Sequence, residues 1–446
     1  MGQHRQAWRR IEVEIGSSAV DYALYWFRND LRLTDNPAFS DACARSRTLV
    51  PVYVVDDEEQ ATTRWGLQRW GEHRRRFRDQ ALAGLRAALQ ARGSDLIILR
   101  GKPTGELAAL AQACGADTLM CERIAAPEEI NQVETLRAAG LTVEDLWQSS
   151  LLDPADLPFD IAHLPDVFTP FRQAVEKADV RPHTAIPAPD AIPPLPQTEL
   201  ARDAVVEQPG GPDARTSFPY DGARFDGSET AALAHVDRYF AGPLPRTYKA
   251  TRNGLSGLDY STKLSPWLAI GAVSPRKVHE ALLEHEERYG VSDGSRWIVF
   301  ELLWRDYFRF SSLKHGSRLF RHNGLSSLPH PTHDPDTFSA WCSGQTGQPF
   351  VDAGMRELAA TGYLSNRMRQ IVASYLIHDL ACDWRAGAAW FEAQLIDYDV
   401  CSNQGNWLYI AGRGTDPRQG RRFDPDYQAR THDPDGDYRR LWCQEA

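Results

Sequence analysis

Between residues 22 and 146 the chain alternates between two hydrophobic periods, and this alternation restricts the possible architectures more than any other feature. Short apolar and β-branched runs stand at Ala23–Phe27, Leu49–Val55, Leu96–Leu99, Thr118–Cys121 and Thr142–Leu146. Stretches with helical spacing separate them: Pro37–Ala44, Glu72–Arg92, Gly105–Cys114 and Pro127–Ala139. Strand and helix taking turns predicts a parallel five-stranded sheet with right-handed crossovers and helices on both faces. Residues 21–150 are therefore expected to form a Rossmann-like α/β domain, preceded by an extension over 1–20. The first strand runs into Arg28-Asn29-Asp30-Leu31-Arg32 rather than a glycine-rich turn. A nicotinamide-dinucleotide fold is thereby disfavoured, because the glycines that let a pyrophosphate approach the backbone are missing.

Residues 151–227 change character. Pro182, Pro187, Pro189, Pro193, Pro194, Pro196, Pro209, Pro212 and Pro219 break any long helix, which predicts an extended connector over the surface. From 228 to 446 the period is helical, at Thr230–Phe240, Pro266–Ala269, Pro275–Tyr289, Ser295–Lys314, Phe350–Thr361, Asn366–Cys382, Ala386–Asp397 and Trp407–Ala411. An all-α second domain follows.

Composition excludes whole classes. With 446 residues, 50 Lys+Arg against 60 Asp+Glu and a net charge of −10, the chain is neither disordered nor a coiled coil. Its apolar runs are too short to span a bilayer, so no membrane partner is expected. Seven cysteines (43, 114, 121, 342, 382, 401 and 443) form no CxxC pair. Neither a disulfide framework nor a metal site is expected, and a reducing compartment, the cytoplasm, is. The acidic balance disfavours nonspecific nucleic-acid binding by the whole surface but leaves room for a local basic face.

Four segments have the residue types of a chemical site. In RWIVFELLWRDYFRF (296–310), Trp297, Glu301, Trp304 and Phe308 share one helix face, with Arg305 four residues beyond Glu301. This is either a core-facing stripe with a Glu301–Arg305 ion pair or a carboxyl whose pKa is raised by aromatic walls. In LIDYDVCSNQGNWLY (395–409), Asn403 and Trp407 follow Asp399 at steps of four, and Asp397 lies two before it. The segment reads either as a capped helix start or as a turn aiming all four at one place. In YSTKLSPWLAIGA (260–272), hydroxyls and a lysine precede Pro266, suiting a phosphate cradle or simply a Ser cap with Pro at the first helical position. In GYLSNRMRQIVAS (362–374), Asn366 and Arg369 share a face that could bind a polar ring, pair with a carboxylate or lie on the surface.

Together these segments resemble the photolyase/cryptochrome flavoproteins. The resemblance runs through RNGLSGLDYSTKLSPWLAIGAVSPR (252–276), ELLWRDYFRF (301–310), GQTGQPFVDAGMREL (344–358), LIDYDVCSNQGNWLYIAGRGTDPR (395–418) and, at the first strand, WFRNDLRLTDNPAF (26–39). More narrowly, DLPFDIAHLPDVFTPFR (156–172), YKATRNG (248–254) and DPDGDYRRLW (433–442) resemble the DASH cryptochromes. The match extends from about residue 21 to the end of the chain.

The resemblance implies an α/β antenna domain and a helical domain that holds FAD, with an opening to the isoalloxazine. Tyr248, Ser261, Thr262, Lys263, Leu264 and Ser265 match the flavin-phosphate cradle, and Arg305 joins the cofactor set. Asn366, Arg369, Asp397 and Asp399 match residues around the isoalloxazine and ribityl chain, and Asn403 the residue facing flavin N5. Glu301 matches the carboxylate beside the lesion pocket and Trp304 its stacking wall. With Asn403 these are the expected catalytic residues. The implied activity is electron transfer from excited reduced FAD to a cyclobutane pyrimidine dimer, with single-stranded or looped DNA favoured. Arg252, Arg367, Arg418, Arg421 and Arg422 are expected at phosphates, Gln428 on the lesion strand, and Gln370 and Tyr409 as altered pocket walls. Trp407 and Trp384 match the inner and middle members of an electron relay, while the outer position, residue 331, is Pro. A folate antenna, 5,10-methenyltetrahydrofolate, would lie near Glu128. A monomer is expected, and the competing reading is a blue-light photoreceptor working through flavin photoreduction.

Overall fold

The computed structural model describes residues 19–197, 200, 203, 210–416 and 420–443. Five parallel strands, β1 (Val20–Trp26), β2 (Ser46–Asp56), β3 (Ile97–Gly101), β4 (Thr118–Glu122) and β5 (Thr142–Leu146), lie in the order β3-β2-β1-β4-β5. The cause is plainest in β2, whose central run is buried on both faces, as in a strand covered by helices on each side. Val50, Val52 and Val54 pack with helices Pro103–Cys114 and Pro127–Ala138, while Leu49, Tyr53 and Val55 pack with Pro37–Arg45 and Glu72–Gln90.

Strand order reverses between β1 and β4, and the crevice at their carboxyl ends is where an open α/β sheet takes a ligand. In this chain Arg28 fills it. The guanidinium stands 4.3 Å from the Trp26 ring centre and donates to the carbonyls of Glu122 and Glu129 and to Gln132 Oε1.

The connector is more deeply built in than its prolines suggest. A helix, Phe168–Lys177, forms ahead of the proline cluster and buries Phe168, Phe171 and Val175. Leu151, Leu152, Phe218, Tyr220 and Phe225 join them in one core with helices Glu229–Ala241, Pro275–Tyr289 and Asp293–His315. The expectation of a purely surface path fails because those apolar side chains are spaced to reach a core on either side of the proline run.

Two buried contacts fix the halves against each other. Arg276 forks onto Asp35 (2.9 and 3.1 Å), and Arg32 donates to the carbonyl of Gly271 at 2.9 Å. Gly271 has φ +73°, and a Cβ there would stand 1.9 Å from the Asn29 carbonyl oxygen, so only glycine fits.

A second core gathers Pro349–Thr361, Asn366–Ser374, Trp384–Gln394 and Val400–Ala411 around Trp341, Trp384 and Trp407. Two predicted boundaries move here. The stretch 366–382 divides into Asn366–Ser374 and a wide turn, Tyr375–Asp379. The helix expected to run to Asp397 stops at Gln394, and the next begins at Val400 rather than Trp407, because Asp399 caps it by accepting from Ser402 N–H at 2.8 Å. Among the described residues, no helix is long and apolar enough to cross a membrane.

Candidate functional site

A cavity of ≈ 390 Å³ opens at the seam between the two helical cores, within the range of about 300–1,000 Å³ typical of cofactor sites. Tyr248, Ser261, Thr262, Lys263, Leu264, Ser265, Arg305, Asn366, Arg369, Asp397 and Asp399 all line it. Residues scattered along the sequence thus meet at one place.

Asp397 and Asp399, two residues apart, are satisfied unequally. Asp399 is gripped by the Arg309 guanidinium at 3.1 and 2.6 Å while it caps the following helix. Burial alone would push its carboxyl up, but Arg309 and Arg305 outweigh that and hold it at about 2. Asp397 pairs through Oδ2 with Arg369 at 2.8 Å, yet its Oδ1 is buried with no partner. Arg309 was not singled out in the sequence. Its position four residues beyond Arg305 on the same helix is the signal that could have found it.

The segment 260–265 turns sharply at Lys263, whose φ is +56°. The Lys263 ammonium is buried 3.5 Å from the Tyr260 ring centre and 4.8 Å from that of Tyr363. Burial drives its pKa well down, and Glu357 opposes this. The simple Ser-cap reading does not hold: Ser265 is already inside the short helix Ser265–Ile270, and Leu264 occupies the cap without a side-chain bond.

At the cavity mouth the Glu301–Arg305 pair suggested by helical spacing is absent. Arg305 donates instead to the carbonyls of Ser149 and Leu268, and burial lowers its pKa to about 10. Glu301 accepts from Arg252 and from the Trp297 indole N–H at 3.1 Å. Burial pushes the Glu301 carboxyl up, with Arg252 opposing. Trp304 stacks on Phe168, ring centres 3.9 Å apart and planes within 9°, and meets Tyr409 edge-on at 6.2 Å. Gln370 and Tyr409 line the same space.

Comparison with known proteins gives this geometry a context. A family model described as DNA photolyase matches residues 23–193, and one described as the FAD binding domain of DNA photolyase matches 297–446. Cryptochrome DASH of Xenopus laevis is 43% identical, over 94% of this chain and 82% of its own length. Among solved structures, a cryptochrome from Synechocystis sp. PCC6803 is 40% identical with a TM-score of 0.88, covering 96% of this chain and 89% of that one. A class III photolyase from Agrobacterium tumefaciens is 30% identical with a TM-score of 0.79, covering 96% and 87%. The chain is a DASH-type member of the photolyase/cryptochrome family.

The helical half of this DASH-type protein is an FAD-binding domain, and the cavity fits that cofactor on its own terms. The unpartnered Asp397 Oδ1 offers an acceptor to a ring N–H, and the unpartnered, buried Tyr260 hydroxyl is a second open group. Hydroxyls of Ser261, Thr262 and Ser265 beside Arg305 suit a diphosphate. Asn403 lines an adjoining hollow with Asp397, Arg369 and Trp407, and its amide nitrogen donates to the Ala388 carbonyl at 3.1 Å.

Most of the residues expected on DNA have partners within the protein. Arg252 faces Glu301 rather than the outer surface, Arg367 donates to Asn253 at 2.9 Å, and Arg421 lies 5.2 Å from the Tyr409 ring centre. Arg422 pairs with Asp379 at 2.5 Å, Gln428 is buried, and Arg418 lies outside the described residues. Trp384 and Trp407 are both buried, and Gly387, three residues after Trp384, packs against the Trp407 ring. Glu128 is exposed and pairs with Arg69 at 2.5 Å, and Arg69 also reaches Glu392 at 2.9 Å.

Proposed function

We propose that this chain repairs cyclobutane pyrimidine dimers in DNA in a light-driven, FAD-dependent reaction, with single-stranded or looped DNA favoured. Glu301 carries the reading: a half-buried carboxyl at the mouth of the flavin cavity, between Trp297 and the Trp304–Phe168 stack. Bound reduced FAD supplies one electron on absorbing light. Phe168 covers one face of Trp304, so the indole plane is fixed before a base stacks beside it. Burial pushes the Glu301 carboxyl up while Arg252 opposes it, and the two side chains together place a hydrogen-bonding carboxyl and a positive charge where a pyrimidine carbonyl would lie. Asn403 lines the hollow beside the cavity, and the open Asp397 Oδ1 would hold the cofactor by accepting from a ring N–H.

The preference for single strands rests on two features. Tyr409 gives the pocket a smaller stacking ring than a tryptophan would, and Arg252 and Arg422 are paired with the protein's own carboxylates, leaving fewer cations for a duplex backbone. A strand that is already unpaired spares the unstacking cost. A folate antenna at Glu128 belongs to the same proposal. The carboxylate would exchange Arg69 for a ring N–H, and an added near-UV absorption band would reveal the pigment.

The test is illumination of dimer-containing oligonucleotides, single-stranded and duplex, with the reduced flavoprotein. Repair of the single strand should exceed that of the duplex, and Glu301→Gln should lower repair about a hundredfold with flavin content unchanged. A dimer that survives illumination while the flavin is photoreduced defeats the repair reading and favours light sensing.

A further inference from the structure

From the wall of the flavin site an unbroken file of rings leads out of the helical half and into the α/β half. Trp407 lines the hollow beside Asp397 and Arg369. Its ring centre is 6.4 Å from that of Trp341, which is fully buried and donates its indole N–H to the Val372 carbonyl at 3.0 Å. Trp341 stacks with Phe338 at 6.0 Å, Phe338 meets His333 at 5.4 Å, and His333 meets Trp65 edge-on at 4.8 Å. Trp65 is half-buried on the loop between β2 and helix Glu72–Gln90, a loop closed by the bridge Thr62–Gln68. The other direction, past Trp384, runs to histidines. The Trp384 indole N–H donates to the His322 carbonyl, His322 stacks on His330, and residue 331 is Pro.

We propose that Trp65 is the surface terminus of an electron path that serves photoexcited oxidised flavin, with Trp407 and Trp341 as its inner stations. The proposal rests on the flavin reading of the cavity. Trp407 gives one electron to the photoexcited oxidised flavin, Trp341 refills Trp407, and Trp65 refills Trp341 across the packed Phe338–His333 pair. The Trp65 indole N–H proton then passes to water, leaving a neutral indole radical that an external one-electron donor such as a thiol restores. A cation favours that loss of a proton: the Arg64 guanidinium carbon lies 4.4 Å from the Trp65 ring centre, and like charge disfavours the cation radical.

Flash absorption on the oxidised flavoprotein tests the path. Wild type should show a long-lived neutral tryptophan radical that Trp65→Phe abolishes, and Trp384→Phe should keep it. Trp65→Tyr should replace it with a tyrosyl radical. Peptide mass spectrometry after prolonged illumination in air should find oxidation at Trp65, a readout independent of any repair assay. A radical of unchanged yield and lifetime in Trp65→Phe, or one lost only in Trp384→Phe, overturns the proposal. Absence of any flavin photochemistry in wild type and variants alike defeats the flavin reading, and the path with it.

Discussion

The carboxyl edge of the sheet and the cavity of the helical half both bury several charged groups, and they satisfy them differently. At the sheet edge Asp30 accepts from the Tyr25 hydroxyl at 2.5 Å, Arg28 N–H at 2.8 Å, Gln148 at 3.0 Å and Asn36 at 3.2 Å. Glu122, whose Oε2 has no partner, is pushed up by burial and by the neighbouring Asp30, with Arg32, Arg309 and Arg28 opposing. Arg28 occupies the crevice there. In the cavity, by contrast, Asp397 keeps one oxygen open while its other holds Arg369. A buried acceptor with no partner costs stability unless something fills the space, so its position on a cavity wall marks a site made for a ligand. Topology alone would have favoured the sheet edge. The accounting of polar groups favours the helical half.

The comparison breaks most readily at Asp397. Asp397→Ala leaves the half-buried Arg369 guanidinium without its carboxylate, a loss of about 2–3 kcal/mol for a charge-assisted pair. The expected product is a protein purified nearly free of flavin and with a lowered melting temperature, read from the ratio of visible to ultraviolet absorbance and from calorimetry. A full flavin complement in this variant would contradict the role assigned to the cavity.

Asp399 gives a smaller effect with a defined pH dependence. Its carboxyl sits at about 2 when folded, below the ordinary 3.8. A depressed folded value stabilises the fold above about pH 4, and the contribution is lost as pH falls toward 2. Asp399→Asn should therefore cost on the order of 2 kcal/mol at neutral pH, with the difference from wild type closing on the acid side. Denaturant midpoints measured between pH 7 and 3 check this. A difference that stays constant with pH would assign the effect to the lost helix cap alone.

These two aspartates also show how far the sequence could be read. The sheet was legible because strand and helix periods differ, and the four chemical segments were legible as residue types in order. Their convergence was not, because long-range packing decides it. Spacing of four on a helix placed Arg305 beside Glu301, but buried carbonyls of Ser149 and Leu268 claim that guanidinium, and Arg252, 49 residues before Glu301, takes its place. Phe168, the ring that fixes Trp304, lay hidden in a stretch read as surface connector, since a proline count registers where helices must stop and not where aromatics can dock.

The smallest expected effect is at the sheet edge itself. Arg28 donates over 3.1–3.4 Å to two carbonyls and one amide oxygen, and its stem lies along Trp26. Arg28→Met keeps much of that packing and removes only modest hydrogen bonds, a cost of about 1 kcal/mol. Flavin content and the visible spectrum should not change, because no group lining the cavity touches Arg28. Since the substitution also shortens the plug, the variant asks whether the crevice can accept a second pigment once opened. Soaking with a flavin and counting bound equivalents answers it. One equivalent in both proteins upholds the contrast between a filled edge and an open cavity, whereas loss of the single flavin in Arg28→Met would mean the two regions are coupled and the contrast is false.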